Sequence, residues 1–120
     1  MNNKFKIRSK KYCRGAENQA CVNCGKNDGT VVLAHYQGIR GQAFGKGTGT
    51  KPHDICGADL CSQCHTEFDA GEGSYVADPF QRKIDLSERF MYCAYLTLIR
   101  RVEQGILYTD DMSLPWDDEK

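Results

Sequence analysis

CVNC at residues 21–24 and CSQC at residues 61–64 place four thiols in two i, i+3 pairs. A tetrahedral zinc ion takes four such sulfurs at about 2.3 Å, and each tight Cys-x-x-Cys turn presents two of them. Two of these knuckles complete one shell. Ion binding then contributes on the order of 10 kcal/mol to folding, as in zinc-finger peptides. That is large beside the marginal stability of a small domain. A redox role is the other use of Cys-x-x-Cys, but no βαβ pattern surrounds either pair. Seven cysteines with no apolar export signal also favour metal over disulfides.

The 36 residues 25–60 that separate the knuckles exceed the roughly 15–20 of a simple four-cysteine finger. That insertion must hold structure of its own. Asn27-Asp28-Gly29 supplies turn chemistry after the first knuckle, and the β-branched run 30–36 (TVVLAHY) predicts a strand. Residues 38–51 form a basic, glycine-rich loop with Arg40, Lys46 and Lys51. Residues 54–60 predict a short returning strand, and residues 61–71 a helix that closes near Gly71. Upstream, residues 8–18 suit a short helix capped by Ser9. Beyond Pro79 the chain reads as helical, with Ser87 as N-cap and Gly105 as the C′ residue. Met91, Tyr95, Leu98 and Val102 form its expected core stripe, widened by Tyr92, Leu96 and Ile99. A helix apolar around so much of its circumference is buried or shared with another chain, so a homodimer through it is one expectation.

The chain divides into a basic segment (1–20), a knuckle core (21–71), a helical extension (72–108) and an acidic tail (109–120). Sixteen basic and sixteen acidic side chains in 120 residues hide this asymmetry in a net charge of zero. Lys4, Lys6, Arg8, Lys10, Lys11 and Arg14 crowd the first segment, which suits a polyanion such as nucleic acid. Asp110, Asp111, Asp117, Asp118 and Glu119 crowd the tail, which reads as a solubilising end. With 40% hydrophobic and 27% charged residues, the composition is that of an ordinary single domain. No apolar run reaches 18 residues, so no membrane span is expected, and the amino terminus lacks the apolar core of a signal peptide, so export is not expected either. The expected location is the cytoplasm. Cys13, Cys56 and Cys93 read as small apolar fillers, with Cys13 the reserve zinc ligand.

All three histidines lie between or beside the knuckles: His35 ends the first strand, His53 precedes Asp54, and His65 follows Cys64. An imidazole can take a proton from water near neutral pH. A second imidazole with a carboxylate can hold a divalent cation. One base, one metal and a phosphate-tracking basic loop are the parts that phosphodiester hydrolysis needs.

The ordered runs CVNC, VVLAHY, GTKPHD and LCSQCH resemble the zinc-knuckle subset of the HNH endonucleases, also called His-Me finger or ββα-metal nucleases. Within that subset the runs are similar to the YbcO-type prophage nucleases, and the similarity covers about residues 12–70. The resemblance implies an α+β fold: a small ββα-metal core stapled by a four-cysteine zinc site, between a basic N-terminal segment and a C-terminal helix. It implies His35 as general base and His65 as catalytic-metal ligand. Asp54, at the middle position of the motif, binds the metal or orients His35. Cys21, Cys24, Cys61 and Cys64 match the structural zinc ligands. Where many members carry Asp or His before the base, this chain has Ala34, leaving Asp54, water and substrate to fill the shell.

The expected activity is metal-dependent DNA cleavage in a phage or prophage setting within a bacterial host cell. His35 deprotonates water, and Mg²⁺ or Mn²⁺ (Zn²⁺ being a third candidate) stabilises the charge at phosphorus. Lys10, Lys11, Arg40, Lys46 and Lys51 hold backbone phosphates. With no recognition helix rich in Arg, Asn and Gln, cutting is expected to be structure-directed or weakly sequence-specific, and RNA stays open as a substrate. The competing expectation is a non-catalytic zinc module that binds nucleic acid or protein.

Overall fold

The computed structural model describes residues 6–47 and 50–113. Lys4, Gly49 and the tail residues 114–120, with Asp117, Asp118 and Glu119, lie outside the described residues. Among the described residues the fold is a small α+β arrangement of three α-helices, two short 3₁₀ helices and one two-stranded sheet. The elements are α1 (Lys10–Arg14), β1 (Val32–Ala34), β2 (Ala58–Leu60), α2 (Ser62–Ala70) and α3 (Pro79–Glu103).

Helix α1 starts as expected, with the Ser9 hydroxyl accepting the Tyr12 N–H at 3.1 Å. It stops at Arg14 rather than running to residue 18, with Gly15 as its C-cap, packed against Arg101 of α3. A Cβ at Gly15 would come 2.5 Å from the Arg101 Nε.

Strands β1 and β2 pair antiparallel, with Val32 opposite Leu60, Leu33 opposite Asp59 and Ala34 opposite Ala58. Both are shorter than the runs 30–36 and 54–60 suggest. Residues 54–56 instead form a 3₁₀ turn, because the N-terminal segment captures Asp54. The Asp54 N–H donates to the Ile7 carbonyl at 3.0 Å, and its carboxylate accepts the Ser9 N–H at 2.7 Å. Helix α2 follows β2 directly and closes at Gly71, whose φ of 72° is the left-handed cap the sequence predicts.

Helix α3 begins nine residues earlier than Ser87, at Asp78, whose side chain accepts the Gln81 N–H at 2.8 Å, with Pro79 in the first helical position. Ser87 is instead buried in mid-helix and hydrogen-bonded to the Tyr36 hydroxyl. The inward face of α3 carries Leu86, Phe90, Cys93, Ala94, Thr97 and Arg101. The expected stripe is therefore rotated: Tyr95 points outward, while Met91, Leu98 and Val102 flank the buried face.

The core gathers Ala34, Tyr36, Ala58, Leu60, Cys61, Cys64, Phe90 and Cys93. Tyr36 meets Phe44 and Phe90 edge-on at 4.9 and 5.6 Å, and Phe90 meets Phe68 of α2 at 5.3 Å. A second, polar anchor ties β2 to α3. Asp59 and Arg101 are both fully buried, joined by two bonds at 2.5 and 2.8 Å. Arg100 adds a third at 2.9 Å. The Arg101 guanidinium lies 4.9 Å above the Tyr12 ring and donates to the Tyr12 carbonyl, so α1 joins the same anchor. Among the described residues, no helix is long and apolar enough to cross a membrane.

Candidate zinc centre and active-site cleft

The first knuckle turns because Gly25 adopts a φ of 82° and returns its N–H to the Cys21 carbonyl at 2.8 Å. The second is built by the β2–α2 junction, with Cys61 as the N-cap of α2 and Cys64 in its first turn. The Val22 N–H donates to the Asp59 carbonyl at 3.0 Å, which brings one knuckle against the other. The sulfurs of Cys21, Cys24, Cys61 and Cys64 all lie within 4.8 Å of one another. Four sulfurs held about 2.3 Å from zinc stand about 3.8 Å apart on a tetrahedron. The Cys24 and Cys61 sulfurs are 3.7 Å apart. The donor chemistry and the spacing both fit zinc.

Asn23 supports this cluster from behind. Its side-chain N–H donates to the Cys64 sulfur at 3.3 Å, and its carbonyl oxygen faces the buried Cys93 thiol at 3.8 Å. Burial raises the Cys21 pKa, but the backbone N–H groups of Cys61, Cys24 and Asn23 outweigh it and bring that thiol to about 7. Burial pushes the Cys64 thiol up, so a cation is needed to hold all four as thiolates. Cys93 is the filler expected, its thiol pushed by burial to about 11, whereas Cys13 and Cys56 are partly exposed. Among the described residues, these four cysteines are the one group of three or more metal-type side chains that converges.

The histidines fall in three different surroundings. His35 and Tyr36 leave the end of β1 on opposite sides of the hairpin. Tyr36 enters the aromatic core, while His35 turns toward α1 and places Nε2 2.7 Å from Asp54 Oδ1. Burial raises the Asp54 pKa, but hydrogen bonds from His35 and the Ser9 N–H more than offset it, so the carboxyl sits below its ordinary 3.8. An ionised carboxylate can only accept, so Nε2 of His35 is the donor in this contact and Nδ1 is the ring nitrogen left over. His53 is a structural residue: its Nδ1 accepts the Ile7 N–H at 2.9 Å, and its ring packs on Gly45, where φ is 94°. His65 lies in α2 with Nε2 3.4 Å from Asp69 Oδ2.

His35 and Asp54 line a cleft of about 580 Å³ together with Arg8, Ser9, Lys10, Cys13, Arg14 and Lys51. Four cations thus surround one ionised Asp–His pair, a field that attracts anions. Lys10 and Lys51 were expected there. Arg8 and Arg14 were visible only as part of the basic N-terminal run, since nothing local says that residues 7–9 fold back on residues 51–54. The Arg8 guanidinium bonds the Pro52 and Lys51 carbonyls, both at 2.7 Å, and fixes that return. Arg40 and Lys46 do not line this cleft. The Arg40 side chain is exposed, and Lys46 donates to the Gln37 side chain at 3.0 Å. Lys11 is exposed on α1 beside the cleft.

The family model described as "Putative nuclease YbcO" matches residues 6–88, a span that includes the cysteine cluster, the cleft and all three histidines. "Putative nuclease YbcO" of Escherichia coli (strain K12) is 42% identical over 62 residues, which is 50% of this chain and 60% of that relative. "Putative nuclease ybcO" of Enterobacteria phage 82 shows the same identity and coverage. The chain thus spans 60% of the length of these curated relatives. No solved structure matches. With well over half of its residues under the family model, the chain belongs to the YbcO nuclease family.

Proposed function

We propose that this protein is an HNH-type endonuclease that hydrolyses phosphodiester bonds in DNA, with His35 as general base. The observation that carries the reading is the 2.7 Å contact between His35 and Asp54 on the wall of a cleft ringed by Arg8, Lys10, Arg14 and Lys51. Family membership supports it. So does the order β1, β2, α2, which matches a ββα core.

Asp54 acts as a positioning residue. Its oxygens already serve His35 and the Ser9 N–H, so it holds the imidazole rather than an ion. Nδ1 of His35 takes a proton from water, the resulting hydroxide attacks phosphorus in line, and the bond to the 3′ oxygen breaks. Lys10, Lys51, Arg8 and Arg14 hold the phosphates at the cleft. The exposed Lys11 and Arg40, with Lys46, follow the strand beyond it. His65, expected to hold the catalytic ion together with Asp54, instead pairs with Asp69 on α2 and is not among the residues that line the His35–Asp54 cleft. A divalent ion bound at the cleft with the substrate phosphate would supply charge neutralisation there. The four-cysteine zinc is structural and takes no part in the chemistry. The site of action is the cytoplasm of a bacterial cell, phage-infected or lysogenic, where thiols stay reduced and DNA is present.

A plasmid-cleavage assay with Mg²⁺ or Mn²⁺ tests the reading. Wild type is expected to cut, and Asp54→Asn is expected to lower kcat with little change in KM, since the substrate-binding cations remain. DNA binding without cleavage under any divalent ion would replace this reading with a zinc module that binds nucleic acid. Cleavage of RNA alone would reassign the substrate.

A further inference from the structure

We propose that Arg8 is a positioning residue: it clamps residues 7–9 onto residues 51–54 and, through Asp54, fixes the ring of His35. The catalytic half of this inference rests on the nuclease reading above and gives Arg8 a role beyond phosphate contact.

Residues 6–9 lie in neither helix nor strand, yet they are docked along their whole length. The Lys6 ammonium donates to the Gly45 carbonyl. The Ile7 N–H donates to His53 Nδ1 at 2.9 Å, and the Ile7 carbonyl accepts the Asp54 N–H at 3.0 Å. The Ser9 N–H donates to Asp54 Oδ2 at 2.7 Å. Arg8 spans the same joint. Its Nη1 donates to the Pro52 carbonyl and its Nη2 to the Lys51 carbonyl, both at 2.7 Å. Nη1 also donates to the Ile7 carbonyl at 3.1 Å and stands 3.7 Å from Asp54 Oδ1. A planar guanidinium holds two acceptors in one fixed geometry, whereas an ammonium is a point charge on a flexible stem.

Asp54 links this clamp to the imidazole. Its side chain is 5% exposed, and both of its oxygens are engaged, Oδ2 by Ser9 and Oδ1 by His35. Among the described residues, Asp54 is the one hydrogen-bond partner of the His35 ring. A segment without helix or sheet bonds is ordered only where other contacts tie it down. Release of residues 7–9 therefore takes the Ser9 N–H from Oδ2, lets the carboxylate turn, and leaves the His35 ring without a fixed direction. Displacing a reacting group by about 1 Å costs on the order of 100-fold in rate.

Arg8→Lys tests the clamp, because it keeps the charge and loses the fork. ¹⁵N NMR of the histidine rings in the zinc-loaded full chain at about pH 8 reads which ring nitrogen of His35 carries the proton. Wild type is expected to show the Nε2–H tautomer alone, and Arg8→Lys a mixture of both. In plasmid cleavage the variant is expected to lose about 10- to 100-fold in kcat, with KM within about 2-fold because the cation remains. Zinc content and melting are expected to stay near wild type, since none of the Arg8 partners is a zinc ligand. A variant with the wild-type tautomer and kcat overturns the proposal, because charge alone then suffices. So does a raised KM at unchanged kcat, which marks a phosphate contact only. Loss of zinc or of the fold in Arg8→Lys shows a structural residue and overturns it as well. A wild type that already shows both tautomers removes the fixed ring. A wild type that binds DNA without cutting refutes the nuclease reading, and the tautomer measurement alone then decides the clamp.

Discussion

Replacing Arg101 with Met tests how the molecule is anchored away from its zinc. Arg101→Met keeps the aliphatic stem of a fully buried side chain and removes its guanidinium. Asp59, also fully buried, then loses bonds of 2.5 and 2.8 Å to Arg101 and keeps only the Arg100 contact at 2.9 Å. Removing one partner of a buried pair costs about 3–5 kcal/mol, because the other charge is left without compensation. The retained Arg100 bond puts the loss at the lower end, about 3 kcal/mol. The Tyr12 carbonyl and ring also lose their cation, which loosens α1 and with it the Ser9 bond to Asp54. Urea unfolding at saturating zinc reads the loss as a lower midpoint with unchanged m. Arg101→Met with Asp59→Leu removes both charges and is expected to recover most of it. A single-variant cost below about 1 kcal/mol, or a double variant no more stable than the single, would refute the reasoning.

Gly15→Ala provides an opposite-sign test. Helix propensity alone favours Ala, yet a Cβ would sit 2.5 Å from the Arg101 Nε, so a loss of about 1–3 kcal/mol is expected, and a rise in Tm would contradict it. Cys61→Ser removes one of four sulfurs and is expected to lose zinc and, with it, on the order of 10 kcal/mol of folding energy; unchanged metal content and melting would contradict the knuckle. The Asp54 carboxyl has a folded-state pKa below its ordinary 3.8, so its stabilisation is present above that value and is lost as pH falls through the lowered one. The stability difference between wild type and Asp54→Asn is therefore expected to be flat near neutrality and to shrink only in strong acid. A difference that shrinks between about pH 8 and 6 would show that Asp54 is not the titrating group.

What the sequence made legible is local chemistry. The knuckles could be read because Cys-x-x-Cys spacing is itself the geometry of two sulfurs on one turn. Ser9 and Gly71 could be read because caps are decided within four residues. Ser87 misled because a hydroxyl before an apolar run looks like a cap, while the competing signal, Asp78 followed by Pro79, lay nine residues upstream. The α3 face was misassigned by one helical position, since Tyr95 and Tyr92 are apolar enough to mimic core. The Asp59–Arg101 anchor was not visible at all. An aspartate in a short strand and an arginine in a helix look like surface residues until packing buries them 42 positions apart. At the candidate site, the His35 and Asp54 meeting depended on residues 7–9 folding back on residues 51–54, which no local pattern encodes.

Cleavage of supercoiled DNA by zinc-loaded His35→Ala addresses the functional claim most directly. The variant is expected to keep its zinc, its melting temperature and its affinity for DNA while losing cleavage by about 10²-fold or more, the usual contribution of a positioned general base. Cleavage at the wild-type rate by a variant that still holds zinc would remove His35 from the chemistry and leave the cysteine-stapled fold without an assigned active site.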